Sequence, residues 1–215
     1  MDDKERDLTR EETAEQPKSK LDVLAVELYS ILHDFTFILV AVTILFVFAV
    51  RFVGVDGNSM FPTLHDRDYM LLASNFWNTN YKQGDIVVIT VPNVFDSHPI
   101  VKRVIATEGM EVDIKFDQGV VLVDGKVLDE PYIFEPTRLN YEAGMTYPLT
   151  VPEGSVFVMG DNRNHSTDSR YSPLGTVDTR RIMGKVFCIA WPGKNTDELG
   201  NITGGINLSR IGVVH

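Results

Sequence analysis

Residues 57–64 read GNSMFPTL and separate a long apolar segment from a β-rich remainder. Glycine and asparagine tolerate unusual backbone angles, and Pro62 fixes φ soon afterwards, so the octet predicts a turn. Because Gly, Asn, Ser and Pro are ordinary turn residues, the octet alone favours a plain turn. If it forms a site, Ser59 is the candidate nucleophile, and its base must come from elsewhere in the chain.

The apolar segment before the octet predicts a membrane span. Residues 35–50, FTFILVAVTILFVFAV, are sixteen uncharged residues, and a span needs about twenty, so residues 31 and 32 and a snorkelling Arg51 must complete it. A cleaved signal peptide would show a basic flank and small exit residues, whereas this flank is acidic. A buried core helix would contain more polar residues. We therefore predict a retained single span.

The residues ahead of the span divide into two parts. Residues 1–20 hold seven acidic and five basic side chains with little that is apolar, which predicts a flexible tail. Residues 21–32 repeat apolar side chains at roughly helical spacing, which predicts an amphipathic lead-in, so that lead-in and span together occupy residues 21–51.

Beyond Arg51, short β-branched runs alternate with turn residues, which predicts a mainly β domain with a barrel-like or folded sheet over residues 52–193. Residues 194–215 are rich in Gly and Asn and are interpreted as a peripheral extension. The predicted strands cover residues 52–55, 69–73, 85–91, 100–107, 111–115, 120–123, 155–159 and 182–190.

Composition excludes several classes of protein. The 215 residues carry a formal net charge of −10, which argues against nucleic acid as a partner because phosphate binding needs clustered Lys and Arg. The single cysteine, Cys188, cannot form an internal disulfide and is interpreted as a small buried hydrophobe. There is no zinc motif and no phosphate-binding glycine loop, so neither a metal nor a cofactor is expected.

A lysine lies inside the apolar run IVKRVIA at residues 100–106. In a strand, Lys102 shares a face with Ile100 and Val104. Burial there would disfavour the ammonium and lower its pKa, so that the amine could accept a proton near neutral pH. The alternative is an edge-strand lysine exposed to water, and the pattern alone does not exclude it.

The third polar feature is GDNRNHSTDSR at residues 160–170. Every residue after Gly160 carries a hydrogen-bonding side chain, which suits a loop that braces a site through Asp168–Arg170 or Asp161–Arg pairs. A solvated surface loop is the bland alternative. A calcium loop would put Arg163 and His165 at ligand positions, so we discount it.

A Ser-His-Asp triad is also considered, since the chain has five histidines. None of them is singled out by a motif, which leaves serine plus lysine as the sharpest chemical hypothesis.

Four boxes in this order behind an apolar anchor resemble the bacterial type I signal peptidases. They are GNSMFPTL at residues 57–64, GDIVV at 84–88, KRVI at 102–105 and GDNRNHSTDSR at 160–170. The resemblance implies a mostly β catalytic core behind one transmembrane helix. It also implies a serine endopeptidase that removes signal peptides from exported preproteins. Only 57 residues separate Lys102 from Gly160, which matches the short forms of the family.

The resemblance assigns roles by position. Ser59 matches the nucleophile and Lys102 the general base, while Ser166 matches a serine that hydrogen-bonds the lysine. Residues that match those that shape and brace the site are Asp161, Asp168 and Arg170. The Ser59 N–H is the expected oxyanion donor, and Gly57 replaces a serine or threonine whose hydroxyl serves as second donor in some members. The Gly57 N–H is the proposed substitute.

Substrate contacts follow from the same positional match. Two strands sandwich an extended substrate in the family, and their apolar pockets accept small side chains, so Ala-x-Ala is the expected cleavage sequence. The matching residues are Val53, Val55, Ile100 and Val101, with Met60 and Leu64 helping to line the pocket.

The implied partners are signal peptides and membrane lipid, and the implied location is the cell membrane, with the N-terminus cytoplasmic and the catalytic domain outside. Phe61, Phe76 and Trp77 are candidates for lipid contact, with core packing as the alternative. A self-cleaving repressor would need a helix-turn-helix where this chain has a span. The other alternative is a membrane-anchored, non-catalytic β domain that binds a partner.

Overall fold

The structure is a computed structural model, and it describes residues 19–48, 50–74, 80–91, 98–142 and 144–214. Residues 1–18 of the predicted tail lie outside the described residues, as do Phe76 and Trp77. The chain divides into two compact units, Met1–Ile44 and Leu45–His215.

One helix, α1 (Lys20–Phe48), contains both the predicted lead-in and most of the predicted span. Ser19 caps it by accepting a hydrogen bond from the Leu21 N–H at 3.2 Å, and Asp22 accepts from the Ser19 N–H at 3.0 Å. The most apolar eighteen-residue window of Lys20–Phe46 has a mean hydropathy of 1.9, and the stretch is long and apolar enough to cross a membrane. None of its most apolar window is buried, which argues against the core-helix alternative.

The rest of the described chain is mainly β, as predicted. Strands β4, β5, β6 and β9 have the predicted bounds, and the other four predicted strands differ by at most two residues at either end. The strands are β1 (Val50–Gly54), β2 (Tyr69–Ser74), β3 (Ile86–Ile89), β4 (Ile100–Thr107), β5 (Glu111–Lys115), β6 (Val120–Val123), β7 (Lys126–Val127), β8 (Leu149–Thr150), β9 (Ser155–Met159), β10 (Val177–Asp178), β11 (Ile182–Trp191), β12 (Lys194–Thr196), β13 (Ile202–Ile206) and β14 (Gly212–Val213).

An eight-stranded antiparallel sheet forms the centre of the second unit, in the order β1-β2-β11-β3-β4-β9-β10 with β14 also paired to β11. Its long strand β11 changes register against β2 and against β3, and β4 changes register against β9. Such bulges bend strands and increase twist, which curls the sheet. A second sheet has the order β7-β6-β5-β8, and β12 pairs with β13 in a hairpin.

Strand β4 lies between β3 and β9 and is buried on both faces. Its side chains enter three apolar clusters, with Val101 in the first, Val104 in the second, and Ile105 and Ala106 in the third. The edge-strand alternative for Lys102 is therefore wrong. Both Lys102 and its neighbour Arg103 are buried, so each needs polar partners inside the domain.

Candidate active site

Ser59 lies in the connection between β1 and β2, which backbone hydrogen bonds close at its base. The Val55 N–H donates to the Asp68 carbonyl at 2.8 Å, and the Arg67 N–H donates to the Val55 carbonyl at 2.9 Å. Gly57 has φ of 94°, a conformation that glycine adopts without strain. Because Met60 and Leu64 on either side of Pro62 are buried in the first apolar cluster, the loop has a fixed floor beneath Ser59.

The Lys102 ammonium reaches Ser59 from strand β4. Its Nζ lies 2.7 Å from Ser59 Oγ and donates to the Val101 carbonyl at 2.9 Å. Burial lowers the pKa of Lys102 to about 8, even though the carboxylates of Asp168 and Asp161 act in the opposite direction. A neutral amine is therefore accessible just above neutral pH, beside a hydroxyl that it can deprotonate.

The Gly160 loop abuts the nucleophile directly. The Asn162 N–H donates to the Ser59 carbonyl at 3.1 Å. A Cβ added at Gly160 would lie 2.4 Å from that carbonyl oxygen and 2.2 Å from Ser166 Oγ, so any side chain at this position would displace them. The glycine at position 160 therefore permits the close approach of the two loops.

Asp168 is the centre of a buried hydrogen-bond network in this loop. Arg170 donates to both of its carboxylate oxygens at 2.8 Å, and the Gly160 N–H donates to Oδ2 at 2.9 Å. These partners hold the pKa of Asp168 below its usual value against the opposing effect of burial. Ser166 Oγ donates to Asp168 at 2.9 Å and makes no described hydrogen bond to Lys102, unlike the family serine that it matches.

Asp161 pairs with Arg103, the residue after Lys102. The guanidinium donates from Nε and Nη2 to the two carboxylate oxygens at 2.8 and 2.7 Å, and both side chains are almost fully buried. Thr63 also donates to Asp161, and the Tyr132 ring lies 3.9 Å from the guanidinium carbon. The pair therefore ties β4, the nucleophile loop and the Gly160 loop together.

Of the two expected oxyanion donors, the structure is consistent with one and not with the other. Among the described hydrogen bonds, none uses the Ser59 N–H, which is consistent with a role as donor to a substrate. The Gly57 N–H, however, donates to Asp66 Oδ1 at 2.9 Å. The proposed substitute donor is therefore already occupied, and the structure does not support Gly57 in that role.

The six residues expected to contact substrate do not form one lining. Val53, Val55 and Val101 belong to the first apolar cluster with Met60 and Leu64, whereas Ile100 packs against the second. Met60 and Leu64 are only 1% and 0% exposed, so they support the surface from beneath. Val53 and Ile100 are partly exposed and can be reached from outside.

Sequence reasoning missed a group of residues between β7 and β8. Glu130 accepts from Arg163 Nη1 at 2.9 Å, and Thr137 accepts from the same atom at 2.8 Å. No strand pattern marks this segment. The one available signal was Arg163 itself, because a buried arginine needs an acidic partner.

Known proteins are similar to this chain over the segment that contains the candidate active site. The family described as "Signal peptidase, peptidase S26" matches residues 28–191, which include Ser59 and Lys102. The chain is 34% identical over 156 residues to the probable signal peptidase I-1 of Synechocystis, covering 69% of this chain and 75% of that protein.

Two further matches have the same description. The chain is 32% identical over 194 residues to signal peptidase I of Bacillus amyloliquefaciens, covering 87% of this chain and 94% of that protein. A crystal structure of a signal peptidase I from Enterococcus faecalis V583 is 31% identical, with a TM-score of 0.41, and covers 49% of this chain and 96% of that one.

Proposed function

This chain belongs to the signal peptidase family, peptidase S26, and we propose that it is a membrane-bound serine endopeptidase that removes signal peptides from exported preproteins. The observation that carries the proposal is the 2.7 Å contact between Lys102 Nζ and Ser59 Oγ. A serine needs an adjacent base to become a nucleophile, and a lysine can be that base only where burial lowers its pKa.

The chemistry then follows the usual steps of acyl transfer. Neutral Lys102 accepts the Ser59 proton while Oγ attacks the scissile carbonyl carbon, and the Ser59 N–H stabilises the oxyanion. The resulting ammonium returns the proton to the leaving amine as the C–N bond breaks. Lys102, neutral again, then deprotonates the water that attacks the acyl-enzyme ester, and it returns this proton to Ser59 Oγ as the ester C–O bond breaks.

Strand β1 is suited to hold an extended substrate. It is the terminal strand of the eight-stranded sheet and, within the described part of the chain, pairs only with β2, so its second edge is available to a peptide strand. Val53 on this strand and Val55 just beyond it are packed against a filled core, which leaves room for small substrate side chains only. This supports specificity for Ala-x-Ala.

Cleavage site selection provides the test of the function. Purified full-length chain in detergent should cut a preprotein whose signal ends in Ala-x-Ala once, after the second alanine, as read by mass spectrometry. Replacing that last alanine by phenylalanine should lower kcat/KM at least about 100-fold, because accommodating the ring requires repacking of a filled core. A wild-type chain that binds the preprotein without cutting it would instead support the non-catalytic alternative.

We further propose that α1 crosses the membrane with its N-terminus in the cytoplasm and that the β domain lies outside, where signal peptides of exported proteins emerge. A patch on the domain supports contact with lipid. Tyr69 and Trp191 are cross-strand partners that are 52% and 54% exposed, and Phe52 is 56% exposed on the neighbouring strand. Exposed aromatic side chains in a cluster are typical of membrane interfaces.

Lipid contact predicts quenching of Trp191 fluorescence. The chain has two tryptophans, so Trp77→Phe leaves Trp191 as the only tryptophan, which can be excited selectively over tyrosine. In vesicles whose acyl chains carry bromine, Trp191 should lose more than about half of its emission, because interfacial side chains enter the membrane by roughly 5–10 Å. Vesicles of the same lipid without bromine are the control, and equal emission in both would contradict lipid contact.

A further inference from the structure

The loop between β12 and β13, residues 197–201, approaches the nucleophile from the C-terminal part of the chain. The Glu198 carbonyl accepts hydrogen bonds from the side-chain amides of Asn58 and of Asn162, the latter at 2.8 Å. Asn162 Nδ2 also donates to the Asn58 carbonyl at 3.1 Å. One carbonyl group thus joins the residue before Ser59 to the Gly160 loop that holds the Ser59 carbonyl.

The loop that presents this carbonyl is folded by its own residues. Asp197 Oδ1 accepts from the N–H groups of Leu199 and Asn201 at 3.0 and 2.7 Å, and Oδ2 accepts from Asn201 Nδ2 at 2.9 Å. Gly200 has φ of 86°, and a Cβ placed there would lie 3.8 Å from the Asn58 side chain. The Asp197 carboxylate therefore shapes the loop without touching Ser59 or Lys102.

Two further contacts join residues before and after this loop to the connection between β1 and β2. The Thr196 N–H donates to His65 Nδ1 at 3.0 Å, and His65 and Thr196 are both buried. Arg210 donates to both oxygens of Asp68, at 3.0 and 2.6 Å. The nucleophile loop is thus tied to the C-terminal segment through Asn58, His65 and Asp68.

We propose that Asn58 is a positioning residue, through which the 197–201 loop holds the N–H and Oγ of Ser59 in the orientation needed for attack. A nucleophile and its oxyanion donor must be fixed to well under an ångström, and a backbone held on one side only would rotate about residue 58. The catalytic consequence rests on the proposed function. The mechanical consequence, a stiffer nucleophile loop, does not.

The test uses full-length Asp197→Ala, which opens the loop while leaving the dyad intact. Residues 57–61 should exchange backbone hydrogen for deuterium at least about tenfold faster. The kcat for Ala-x-Ala preprotein should fall roughly tenfold to a hundredfold with KM unchanged, since the contact between the 197–201 loop and Asn58 acts on the geometry of the reacting atoms. Asp197→Asn keeps a carbonyl acceptor for both backbone N–H groups and should restore most of the kcat.

Asp178→Ala is the matched control, because Asp178 is likewise an exposed carboxylate that accepts from a backbone N–H, that of Arg180, at 2.8 Å. It should change neither the exchange of residues 57–61 nor kcat. The double variant Asn58→Ala/Asp197→Ala should be no slower than Asn58→Ala, within about twofold, because both changes remove one contact.

Unchanged exchange at residues 57–61 in Asp197→Ala would overturn the proposal, whether or not the chain cleaves preproteins. So would a kcat equal to that of the wild type, or multiplicative losses in the double variant. Faster exchange in Asp197→Ala, together with a wild-type chain that never cleaves, would instead overturn the proposed function. It would still support the proposal that the 197–201 loop stiffens the nucleophile loop through Asn58.

Discussion

Lys102→Met is expected to lower kcat/KM at least about a thousandfold while raising the melting temperature. The loss follows because, among the described residues, no other base hydrogen-bonds Ser59 Oγ, and general-base catalysis contributes about 10²–10⁴-fold. The gain in stability follows because the variant removes a buried amine whose pKa is about 8 instead of 10.5, a shift worth roughly 3 kcal/mol. Methionine fills a similar volume with an apolar side chain.

The two effects have opposite dependences on pH. Wild-type kcat/KM should rise as the pH approaches and passes about 8, where Lys102 becomes neutral. Between about pH 8 and 10.5 the unfolded chain binds more protons at this lysine than the folded one, so wild-type stability rises with pH. The stability advantage of Lys102→Met should therefore be largest below pH 8 and should vanish towards pH 10.5.

Circular dichroism melts and preprotein cleavage across a pH series measure both effects, with Ser59→Ala as the matched variant. Ser59→Ala should lose cleavage equally but keep the rise in stability with pH, because the buried amine remains. Cleavage that survives Lys102→Met would show that the base lies elsewhere, and the search would turn to the histidines.

Asp161→Ala is expected to destabilise the domain by about 3–5 kcal/mol, because it leaves the Arg103 guanidinium buried without its carboxylate. For a domain of this size, that corresponds to a melting temperature lower by roughly 10 °C. The double variant Arg103→Met/Asp161→Ala should regain part of the loss, since it removes the unpaired charge together with its partner.

The exposed pair between Asp178 and Arg180 provides the comparison, because a surface ion pair contributes little to stability. Asp178→Ala removes this pair and one backbone hydrogen bond at the surface, so it should lower the melting temperature by no more than about 3 °C. If Asp161→Ala had the same melting temperature as the wild type, the Asp161–Arg103 pair would not hold together the three segments that it joins.

The sequence predicted the strands well because the residue types within one short segment are enough to indicate a β strand. Short runs rich in β-branched residues, set between turn residues, located β4 and β9 to the residue. The burial of Lys102 cannot be predicted from its own segment. It depends on β4 lying between β3 and β9, and this strand order is set by pairing between distant parts of the chain. The absence of any competing motif left Ser59 and Lys102 as the candidate pair, and the resemblance to a family assigned the role of each; periodicity did neither.

Other parts of the site depend on long-range partners that no short motif encodes. The partner of Arg163 is Glu130, 33 residues away, and the carbonyl that holds Asn58 belongs to Glu198, 140 residues away. The sequence does not reveal that the Gly57 N–H is occupied, because its acceptor, Asp66, comes within reach only when the connection between β1 and β2 folds back on itself. Residues 194–215 likewise look peripheral in the sequence, because their contacts with Asn58, His65 and Asp68 join residues far apart in the chain.

The contact of Arg210 with Asp68 has a consequence for how the protein is made. The connection that carries Ser59 is synthesised early, yet residues that fix it follow about 130 to 150 positions later. Contacts at such separation form slowly and late during folding. A nascent chain that has reached only the Gly160 loop therefore has its serine and lysine but not the ties that orient them, so peptidase activity should mature only after the C-terminal segment has emerged.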